Sequence, residues 1–464
     1  MSRYLYGASV QGIQEFIFKT NQLQEIVGAS KIVKSLEVEF ENISSYQKGD
    51  KNILVNAAGN IKAIFDDKKE FEDVVKEFPK KIMQKAYGIT ISQAVVEING
   101  DQPTKDELNL LEQRLKIQRN KPSIPLDPHI NIMELAPKTA RPLVKIEKKG
   151  DDEIRMDMST KQKYKANADN KGQLADLLNG KKKLAVIHAD GNGLGQLIPK
   201  LSNTNISEFS VNLDKATRDA YEEAKKIVQD NKIRKIILDG DDMTVICNAN
   251  YALEFTKIFL KKFEELTEKY TNHKLTACAG IAYCNEKYPF HYAVSLAEAL
   301  CSATKKHAKA INKDLAPSSL MFHNIQSSNF QSWDKFLEDE LTIQNDQETI
   351  RCDFGPYYLS QNEQPLIVDF ENTVKAYRQE GSPISRLREW MGELSKSKQY
   401  SENLLDRINE MIKTNNKWKC EIMDNNLKKI NPKLCNQELV IDKDGYRKTP
   451  IYDVLQILSV TEAN

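Results

Sequence analysis

Two short stretches decide the fold: LAVIHADGNGLGQ at residues 184–196 and LDGDDM at residues 238–243. The first is an apolar run that ends at Asp190 and passes into a glycine-rich turn. The second places Asp241 and Asp242 between two apolar runs. Short apolar runs bounded by turn residues are typical of strands. The sequence therefore predicts a strand that ends in one carboxylate, beside a hairpin that carries two more at its tip.

The elements around these stretches follow a recognisable order. After the glycine-rich turn comes a helical pattern that ends near Val228, and extended runs at 235–238 and 244–247 flank the hairpin tip. A helical pattern at 252–270 and a strand at 275–283 complete the unit. This order is β-α-β-β-α-β, the ferredoxin-like arrangement. We call it the second unit.

The N-terminal part of the chain repeats the same order, and we call it the first unit. Its two hairpin strands meet at AAGN, residues 57–60. Ala8 and Gly59 are 51 positions apart, as are Asp190 and Asp241, so one offset of 182 superimposes the units. A repeat of this kind indicates a duplicated domain. The offset aligns three residues of the first unit with the three acids of the second: Ala8 with Asp190, Gly59 with Asp241, and Asn60 with Asp242.

Four parts are predicted along the chain. The first unit spans 1–120, a connector or small insert spans 121–181, the acid-bearing second unit spans 182–325, and a mainly helical region spans 326–464. Prolines 122, 125, 128, 137 and 142 make the connector look irregular. Helical patterns near 333–341, 369–378, 385–394 and 401–414 suggest a bundle in the last part.

Composition excludes several classes of protein. With 67 basic and 66 acidic residues the net charge is +1, so any anionic ligand must be held by a local arrangement. The start has no basic segment followed by an apolar run, and no stretch approaches the roughly 18 apolar residues that span a bilayer. The seven cysteines form no CxxC pair, so zinc is not expected. We expect a cytoplasmic protein that does not bind membranes.

The three acids favour a metal site. Two carboxylates about 4 Å apart repel by roughly 4 kcal/mol at an effective dielectric of 20. A bound cation would relieve this repulsion among three carboxylates. Oxygen ligands favour Mg²⁺ or Mn²⁺ over zinc, and two such ions would bridge phosphates and stabilise a leaving pyrophosphate. The alternative is a plain acidic tip, because DGDD is also good turn chemistry. Asp190 lies on the neighbouring predicted strand, and the first unit has no acid at the three matching positions. Both observations favour a metal site over a plain acidic turn.

Two further features favour a phosphate ligand. Glycines at 191–195 allow the backbone to approach phosphate oxygens, although a G-x-G-x-G pattern alone is common in tight turns. Lys305 and Lys306 lie on a predicted helix after the last strand, from which they could reach β- and γ-phosphates. The alternative is a solvated basic face shared with Lys309 and Lys313. We interpret His188 as a core histidine.

These stretches resemble the CRISPR polymerase family, which forms the large subunit of type III CRISPR effector complexes and is related to GGDEF nucleotide cyclases. HADGNGLG at 188–195 and LDGDDM resemble its second palm domain. GIQEFIFKTNQLQEIVGAS at 12–30 resembles its first palm, and AAGN that palm's degenerate hairpin. YPFHYA at 288–293, followed by Lys305 and Lys306, matches the helix after the catalytic sheet. The resemblance covers about residues 2–325.

The resemblance implies an α+β fold with two ferredoxin-like polymerase/cyclase palm domains, of which the second is catalytic, plus a C-terminal helical region. It implies nucleoside triphosphates bound between the palms and a cyclic oligoadenylate made from ATP with two Mg²⁺ or Mn²⁺ ions. Asp190, Asp241 and Asp242 would be catalytic and hold the metals, with Gly191 as a further metal ligand. The implied nucleotide-binding residues are Gly28, Ala29, Ser30, Gly59, Asn60, Gly191, Asn192, Gly193, Gly195, Gly240, Lys305 and Lys306.

Three departures from the family pattern leave the function open. We expect a compact relative that has no HD nuclease domain and no zinc cysteines between the palms, and in which DGDD stands where the family more often has GGDD. Three functions remain: a nucleotidyltransferase that makes a cyclic messenger from ATP in antiviral defence, a GTP-using GGDEF-like dinucleotide cyclase, or a nucleotide-binding scaffold subunit of an RNA-guided complex. The expected partners are ATP or another nucleoside triphosphate, with either a CRISPR-like protein–RNA complex or a downstream effector that senses cyclic nucleotides.

Overall fold

The structure is a computed structural model that describes residues 3–47, 50–57, 59–121, 132–149, 152–167, 174–198, 201, 203–326, 332–414 and 420–462. Ala58 of the first hairpin and prolines 122, 125 and 128 of the connector lie outside these residues. Within the described ranges no helix is long and apolar enough to cross a bilayer.

The first unit is a four-stranded antiparallel sheet in the order β2-β3-β1-β4, with helices on both faces. Helix α4, which was not predicted, packs on the outer face through Leu111 and Leu115. The elements are β1 (Arg3–Gln11), α1 (Ile13–Phe18), α2 (Leu23–Ser44), β2 (Ile53–Ala57), β3 (Asn60–Phe65), α3 (Lys68–Lys85), β4 (Thr90–Ile98) and α4 (Lys105–Arg119).

The second unit repeats this architecture. The elements are β7 (Lys183–Gly191), α6 (Leu194–Leu197), α7 (Asn203–Lys225), β8 (Ile233–Asp239), β9 (Asp242–Asn248), α8 (Ala252–Thr271), β10 (Ala277–Asn285), α9 (Phe290–Ile311) and β11 (Ser319–Asn324). The order β10-β7-β9-β8 matches the first sheet, and β11 extends it in parallel beside β10. The predicted pair of ferredoxin-like domains is confirmed. The helical segment after the glycine-rich turn is divided into α6 and α7.

The two hairpins are alike in detail. Each has a two-residue tip, closed by Ala57 and Asn60 in the first unit and by Asp239 and Asp242 in the second. Each has an irregularity in its ladder, between residues 53 and 55 and between residues 235 and 237. Both positions correspond under the offset of 182, so the predicted repeat holds for the hairpin.

The first strand departs from that offset by one residue. Ser9 of β1 pairs with Asn60, whereas the ladder between β7 and β9 ends at Ala189 and Met243, one position before Asp190 and Asp242. By sheet position the counterpart of Asp190 is therefore Ser9, not Ala8. The first unit still has no acid at any of the three positions.

The connector is more regular than its prolines suggested. Its described part contains a hairpin, β5 (Lys145–Lys149) and β6 (Asp152–Met156), and a helix, α5 (Met158–Ala166). Helix α5 packs against α2, and the buried Lys163 donates from Nζ to the carbonyl oxygen of Phe16 at 2.5 Å. The connector therefore fixes the helices of the first unit.

At Gly28 the backbone of α2 comes very close to the backbone of α5. A Cβ atom at Gly28 would lie 1.9 Å from the carbonyl oxygen of Lys163, which is backbone and cannot move aside without shifting α5. We expect Gly28→Ala to destabilise the protein by about 1–3 kcal/mol or more, the usual range for overpacking, measured by urea unfolding. The control is Gly392→Ala, where no atom lies within 4 Å. Equal unfolding midpoints for the two variants would contradict the packing.

The C-terminal region is helical with a small sheet that was not predicted. The sheet has the order β12-β13-β16-β15, and β14 joins the sheet of the second unit beside β11. The region at 326–464 is mainly helical, as predicted, but it also contains short strands, and the sheet of the second unit extends beyond residue 325. The elements are α10 (Trp333–Glu340), β12 (Thr342–Gln344), β13 (Thr349–Arg351), β14 (Tyr357–Tyr358), α11 (Ile367–Tyr377), α12 (Ile384–Glu393), α13 (Lys398–Thr414), α14 (Cys420–Ile430), β15 (Ile441–Lys443), β16 (Tyr446–Lys448) and α15 (Ile451–Val460).

One apolar core joins the two units. It contains Ile17 and Ile26 of the first unit together with Val186, Ile236 and Ile246 of the second. The face of the second sheet that carries these residues also packs against α9, while α7 and α8 cover the opposite face. The first unit and α9 thus border the same face of the second sheet.

Candidate active site

The three predicted acids meet at one end of the second sheet. Asp190 lies next to the last residue of β7, and the tip of the neighbouring hairpin carries Asp241 beside Asp242 at the start of β9. Asp190 and Asp241 are close enough for the charge of Asp190 to raise the pKa of Asp241. Gly191 permits this approach, because a Cβ there would lie 2.8 Å from both Cβ and Oδ2 of Asp241.

His188 lies beside Asp242, and Glu298 is close enough for the charge of Asp242 to raise its pKa. His188 Nδ1 lies 3.4 Å from Asp242 Oδ1 and 3.1 Å from Thr244 Oγ1. The prediction that His188 is buried is correct, but it faces the acids as well as the core. Burial lowers the pKa of His188, so it is a neutral neighbour for Asp242 at ordinary pH.

Lys305 reaches the acids and Lys306 does not. Lys305 Nζ lies 2.5 Å from Asp190 Oδ2, whereas Lys306, on another side of α9, is exposed. Glu298 lies seven residues before Lys305, two helical turns away on the same face of α9. That spacing was a signal in the sequence, and Glu298 was not assigned a role.

Burial and repulsion between like charges raise the pKa values of Asp241, Asp242 and Glu298. Burial, followed by the charge of Asp190, raises the pKa of Asp241. Burial and the charges of Asp190 and Asp239 raise the pKa of Asp242 to about 7. Burial likewise raises the pKa of Glu298. Ionising all three aspartates together therefore costs free energy unless a cation binds beside them.

The donor set fits magnesium, although the described residues form no preformed cage. Among the described residues, no group of three or more His, Cys, Asp or Glu side chains is already arranged around a metal position. Mg²⁺ is usually bound through one or two carboxylates together with substrate phosphates and water, so a preformed cage is not required. Asp242 Oδ1 is buried without a hydrogen-bond partner in the described part of the chain. Such an orphaned acceptor suits a cation.

The raised pKa of Asp242 has a measurable effect on stability. Its folded pKa of about 7 exceeds the ordinary value of 3.8, so its ionisation opposes folding increasingly from pH 4 to pH 7 and fully above pH 7. We expect Asp242→Asn, in EDTA, to melt several degrees above wild type at pH 8 and close to wild type at pH 4. Each kcal/mol shifts Tm by roughly 2–4 °C in domains of this size. Calorimetry at the two pH values measures the melting temperatures. A variant that melts below wild type at pH 8 would contradict a destabilising charge at Asp242.

The glycine-rich turn leads into only one turn of helix. Asn192 is buried and donates from Nδ2 to Thr276 Oγ1, while Gly193 takes a φ of 83° and Gly195 borders open space. These residues line a cavity of about 110 Å³ together with Lys309 and Lys313. The predicted contact of the turn with phosphate stays a prediction.

A larger cavity, which we call the inter-unit cavity, lies between the two units beside their shared core. It has a volume of about 230 Å³ and lies between α1 and α2 on one side and the hairpin strands β8 and β9 on the other. Ser30 lines it and donates its hydroxyl to the carbonyl oxygen of Ile236. Gly28 and Ala29 do not line it: Gly28 packs against α5, and Ala29 is fully buried in the core.

The hairpin of the first unit lies apart from this cavity. Gly59, with a φ of 71°, packs near Ile13 and Val10, and Asn60 accepts a hydrogen bond from Ser9. Neither Gly59 nor Asn60 lines the inter-unit cavity. In the other hairpin the carbonyl oxygen of Gly240 accepts a bond of 2.6 Å from the Thr217 hydroxyl on α7, a contact that the sequence pattern did not reveal.

Residues 183–314 match the family model for the second palm domain of Cas10/Cmr2. The resemblance to the CRISPR polymerase family is confirmed. The second unit is hereafter the second palm, and the first unit the first palm. No curated protein matches the chain in sequence.

Solved structures share this fold. A Csm1–Csm4 cassette in complex with cA3 is 13% identical, with a TM-score of 0.55 over 99% of this chain and 70% of the solved chain. The Csm1–Csm4 subcomplex of the type III-A CRISPR-Csm interference complex is 14% identical, with a TM-score of 0.53 and the same coverages. The match to the cassette with AMPPNP has a TM-score of 0.45 at 13% identity and covers 66% of this chain. There the alignment spans about half, 53%, of the solved chain. At such identity the likeness concerns the fold alone.

Proposed function

We propose that the chain is a magnesium-dependent nucleotidyltransferase that joins ATP into a cyclic oligonucleotide. One observation carries the proposal: Asp242, which lies beside Asp190 and Asp241, borders a cavity whose other wall belongs to a palm with no acid at the three corresponding positions. Two nucleotides in such a cavity would meet at a single set of acids. Structural neighbours are complexes of a Csm1–Csm4 cassette with cA3 and with pppApApA, which is why we propose ATP rather than GTP.

Each residue of the site has a role in this reaction. Asp190, Asp241 and Asp242 would hold the metal, which supplies charge neutralisation for the phosphates and activation of the attacking hydroxyl. Lys305 lies beside Asp190 and, at the end of its flexible side chain, can bind donor phosphates as a point charge. Ser30 lines the acceptor side of the cavity.

One active site implies a stepwise reaction. A symmetric enzyme with two active half-sites can close both bonds in equivalent steps, whereas a single set of acids must form the bonds one at a time. Linear intermediates that bear a 5′-triphosphate should therefore precede any cyclic product.

The test is incubation of purified protein with each labelled nucleoside triphosphate and Mg²⁺ or Mn²⁺, with the products of a quenched time course identified by mass spectrometry. We expect ATP to give linear triphosphorylated species first and rings later. Rings that form under single-turnover conditions without linear precursors would refute the one-site mechanism. Products from GTP alone would refute the choice of substrate.

A nucleotide-binding scaffold is the second candidate, and the bond between Lys305 and Asp190 favours it, because an ammonium group at Asp190 neutralises one acid without a metal. A scaffold would bind ATP and give no product in this time course.

Solved neighbours are complexes of Csm1 with Csm4. We propose that this chain also works beside a protein partner.

A further inference from the structure

Strand β4 has an open edge on the outside of the first palm. It lies at the end of the strand order β2-β3-β1-β4 and pairs with β1 along all nine of its residues. No described strand pairs with its other edge. An open edge presents backbone amides and carbonyls that can pair with a further chain, and proteins usually protect such edges with short, irregular or covered strands.

The comparable edges of the two palms are protected in this way. β2 has five residues and β8 has seven, and the ladder of each contains an irregularity. β10, the counterpart of β4 in the second palm, is covered by β11, which pairs with it in parallel. β4 instead has an unbroken ladder and no covering strand among the described residues. The second palm therefore shows how an edge in this position accepts a further strand.

Alternate residues of β4 direct their backbone groups to the open edge. The amide of Val10 in β1 donates to the carbonyl oxygen of Gly59 in the β2–β3 hairpin, so its partner in β4, Ile91, faces away from β1. Gln93 and Val95 face the same way, because the direction alternates along an antiparallel ladder. The carbonyl oxygen of Val95 agrees with this, since it accepts a hydrogen bond from a side chain of α4. The described chain offers no hydrogen-bond acceptor to the outward amides of these three residues.

Helices on both sides turn this edge into a groove, which we call the β4 groove. Two cavities of about 620 and 670 Å³ lie along the edge and share Ile91. The first lies between α3 and α4, and the second between α3 and α5. An extended chain in these cavities would lie alongside β4.

One wall of the β4 groove is apolar. It includes Pro79 and Met83 of α3 together with Met158 of α5. Met83 is 56% exposed, which is unusual for so large an apolar side chain in a concave site. Lys80, on the same wall, already forms an ion pair with Glu77 at 3.2 Å. Apolar side chains of a ligand would cover this wall.

The other wall is basic. Arg114 and Lys121 of α4 line it and are exposed, with Ile117 between them. In the described part of the chain no acidic side chain lines either cavity, and Glu97 of β4 lies beyond them. Acidic side chains of a ligand would therefore suit this wall. A second copy of β4 would bring two basic walls together, and like charges across an interface oppose such pairing.

The side chains of an added strand would alternate between the two walls, because successive residues of a strand point to opposite faces. β4 itself follows this pattern. Ile91 and Val95 pack on the core that includes α3, whereas Ala94 and Val96 pack on α4. A strand beside β4 would thus present one set of side chains to the apolar wall and the other to the basic wall.

We propose that the β4 groove binds an extended segment of a partner protein, in which apolar and acidic residues alternate, as a fifth strand of the first sheet. In such strand addition the backbone hydrogen bonds supply affinity and the alternate side chains supply specificity. The site goes beyond the nucleotidyltransferase reaction and does not depend on it, since no residue assigned to the active site lines the groove.

The first experiment uses a designed peptide as the probe. The peptide is as long as β4, alternates glutamate with valine, and is N-methylated at each valine so that it cannot stack on itself. We expect fluorescence anisotropy to show that it binds the full chain. The same peptide N-methylated at every residue has no amide hydrogen to donate and should bind at least about ten-fold more weakly. Equal binding of the two peptides, or binding of neither, would overturn the proposal.

Amide hydrogen exchange resolved to single residues locates the bound peptide. In the free chain the outward amides of Ile91, Gln93 and Val95 should exchange faster than those of Ser92 and Ala94, which bond to β1. The peptide should slow the outward amides at least about ten-fold. Outward amides already protected in the dilute free chain would mean that the chain covers its own edge. Protection that appears only at high protein concentration would mean a second copy, and either result would overturn the proposal.

A charge reversal tests the acidic character of the partner. Lys121→Glu should weaken binding of the glutamate peptide at least about three-fold and strengthen binding of the same peptide with lysine in place of glutamate. Lys116→Glu, on α4 but outside the groove, is the matched control and should change neither. Equal effects of the two variants would show attraction by overall charge and would overturn the acidic partner.

A proline variant tests the backbone pairing from the side of the protein. Ile91→Pro removes one outward amide without breaking the ladder to β1, so it should weaken the glutamate peptide at least about five-fold. Ile91→Ala trims the same side chain but keeps the amide, and it should bind more tightly than the proline variant. Equal affinities would contradict strand addition. If the proline variant does not fold, the comparison of the two methylated peptides and the exchange of the outward amides still decide the proposal.

Discussion

Replacing Asp241 or Asp242 by alanine is expected to lower nucleotide joining at least about a thousand-fold, roughly 4 kcal/mol of activation free energy. Each carboxylate is a metal ligand in the proposed reaction, and the remaining acids cannot neutralise the phosphates alone. The fold should survive, because burial and mutual repulsion make these charges a cost to folding, as the raised pKa of Asp242 indicates. Product formation from labelled ATP and the melting temperature are both measured.

Asp230→Ala is the matched control for these variants. Asp230 is an exposed acid of the second palm that pairs with Lys225 at 2.9 Å, far along the sheet from the hairpin tip. We expect it to leave product formation within two-fold of wild type. Wild-type turnover in Asp241→Ala or Asp242→Ala would mean that the acids at the hairpin tip are not the active site.

Gly191→Ala is expected to lower activity at least about ten-fold, or 1.4 kcal/mol, without removing any functional group. The added methyl would lie 2.8 Å from Cβ and Oδ2 of Asp241, so the hairpin tip must move away from Asp190. Displacements of about 1 Å at a reacting centre can cost a hundred-fold in rate. The rate and the Mg²⁺ concentration for half-maximal rate are measured together, and both should change.

Gly195→Ala, in the same turn, distinguishes this clash from a general effect of stiffening the backbone. No atom lies within 4 Å of a Cβ at Gly195, and the backbone there has no positive φ. The variant leaves the approach of Asp190 and Asp241 unchanged, so its Mg²⁺ concentration for half-maximal rate should equal that of wild type. Equal losses in the two variants would place the effect in the turn itself and not in the contact with Asp241.

The hairpins could be predicted because the residues that determine each of them lie close together in the sequence. Turn chemistry at DGDD and AAGN, with apolar runs on either side, determines strand, tip and strand within about fifteen residues. The strand order then follows from the β-α-β-β-α-β pattern. The carboxylates were predicted for the same reason, since their positions at strand ends depend on that local pattern.

The remaining parts of the site depend on contacts between distant segments. Gly28 fits a nucleotide-binding pattern by resemblance, yet its neighbour is Lys163, which comes from the connector. Lys305 and Lys306 are adjacent in sequence, but the 100° rotation between successive helical residues directs only Lys305 to Asp190. Strand β14 joins the second sheet from the C-terminal region through two residues, too few for a pattern. No local signal identifies such pairings.

The apolar core that runs through both palms makes them a single cooperative unit. Ile26 and Val186 contribute to one buried cluster, so neither sheet can separate from the other without exposing that cluster to water. Denaturation of the duplicated region should therefore be one transition, although repeated domains often melt separately. It also explains how a palm without acids at the three corresponding positions can persist: its loss would expose the buried cluster that it shares with the second palm.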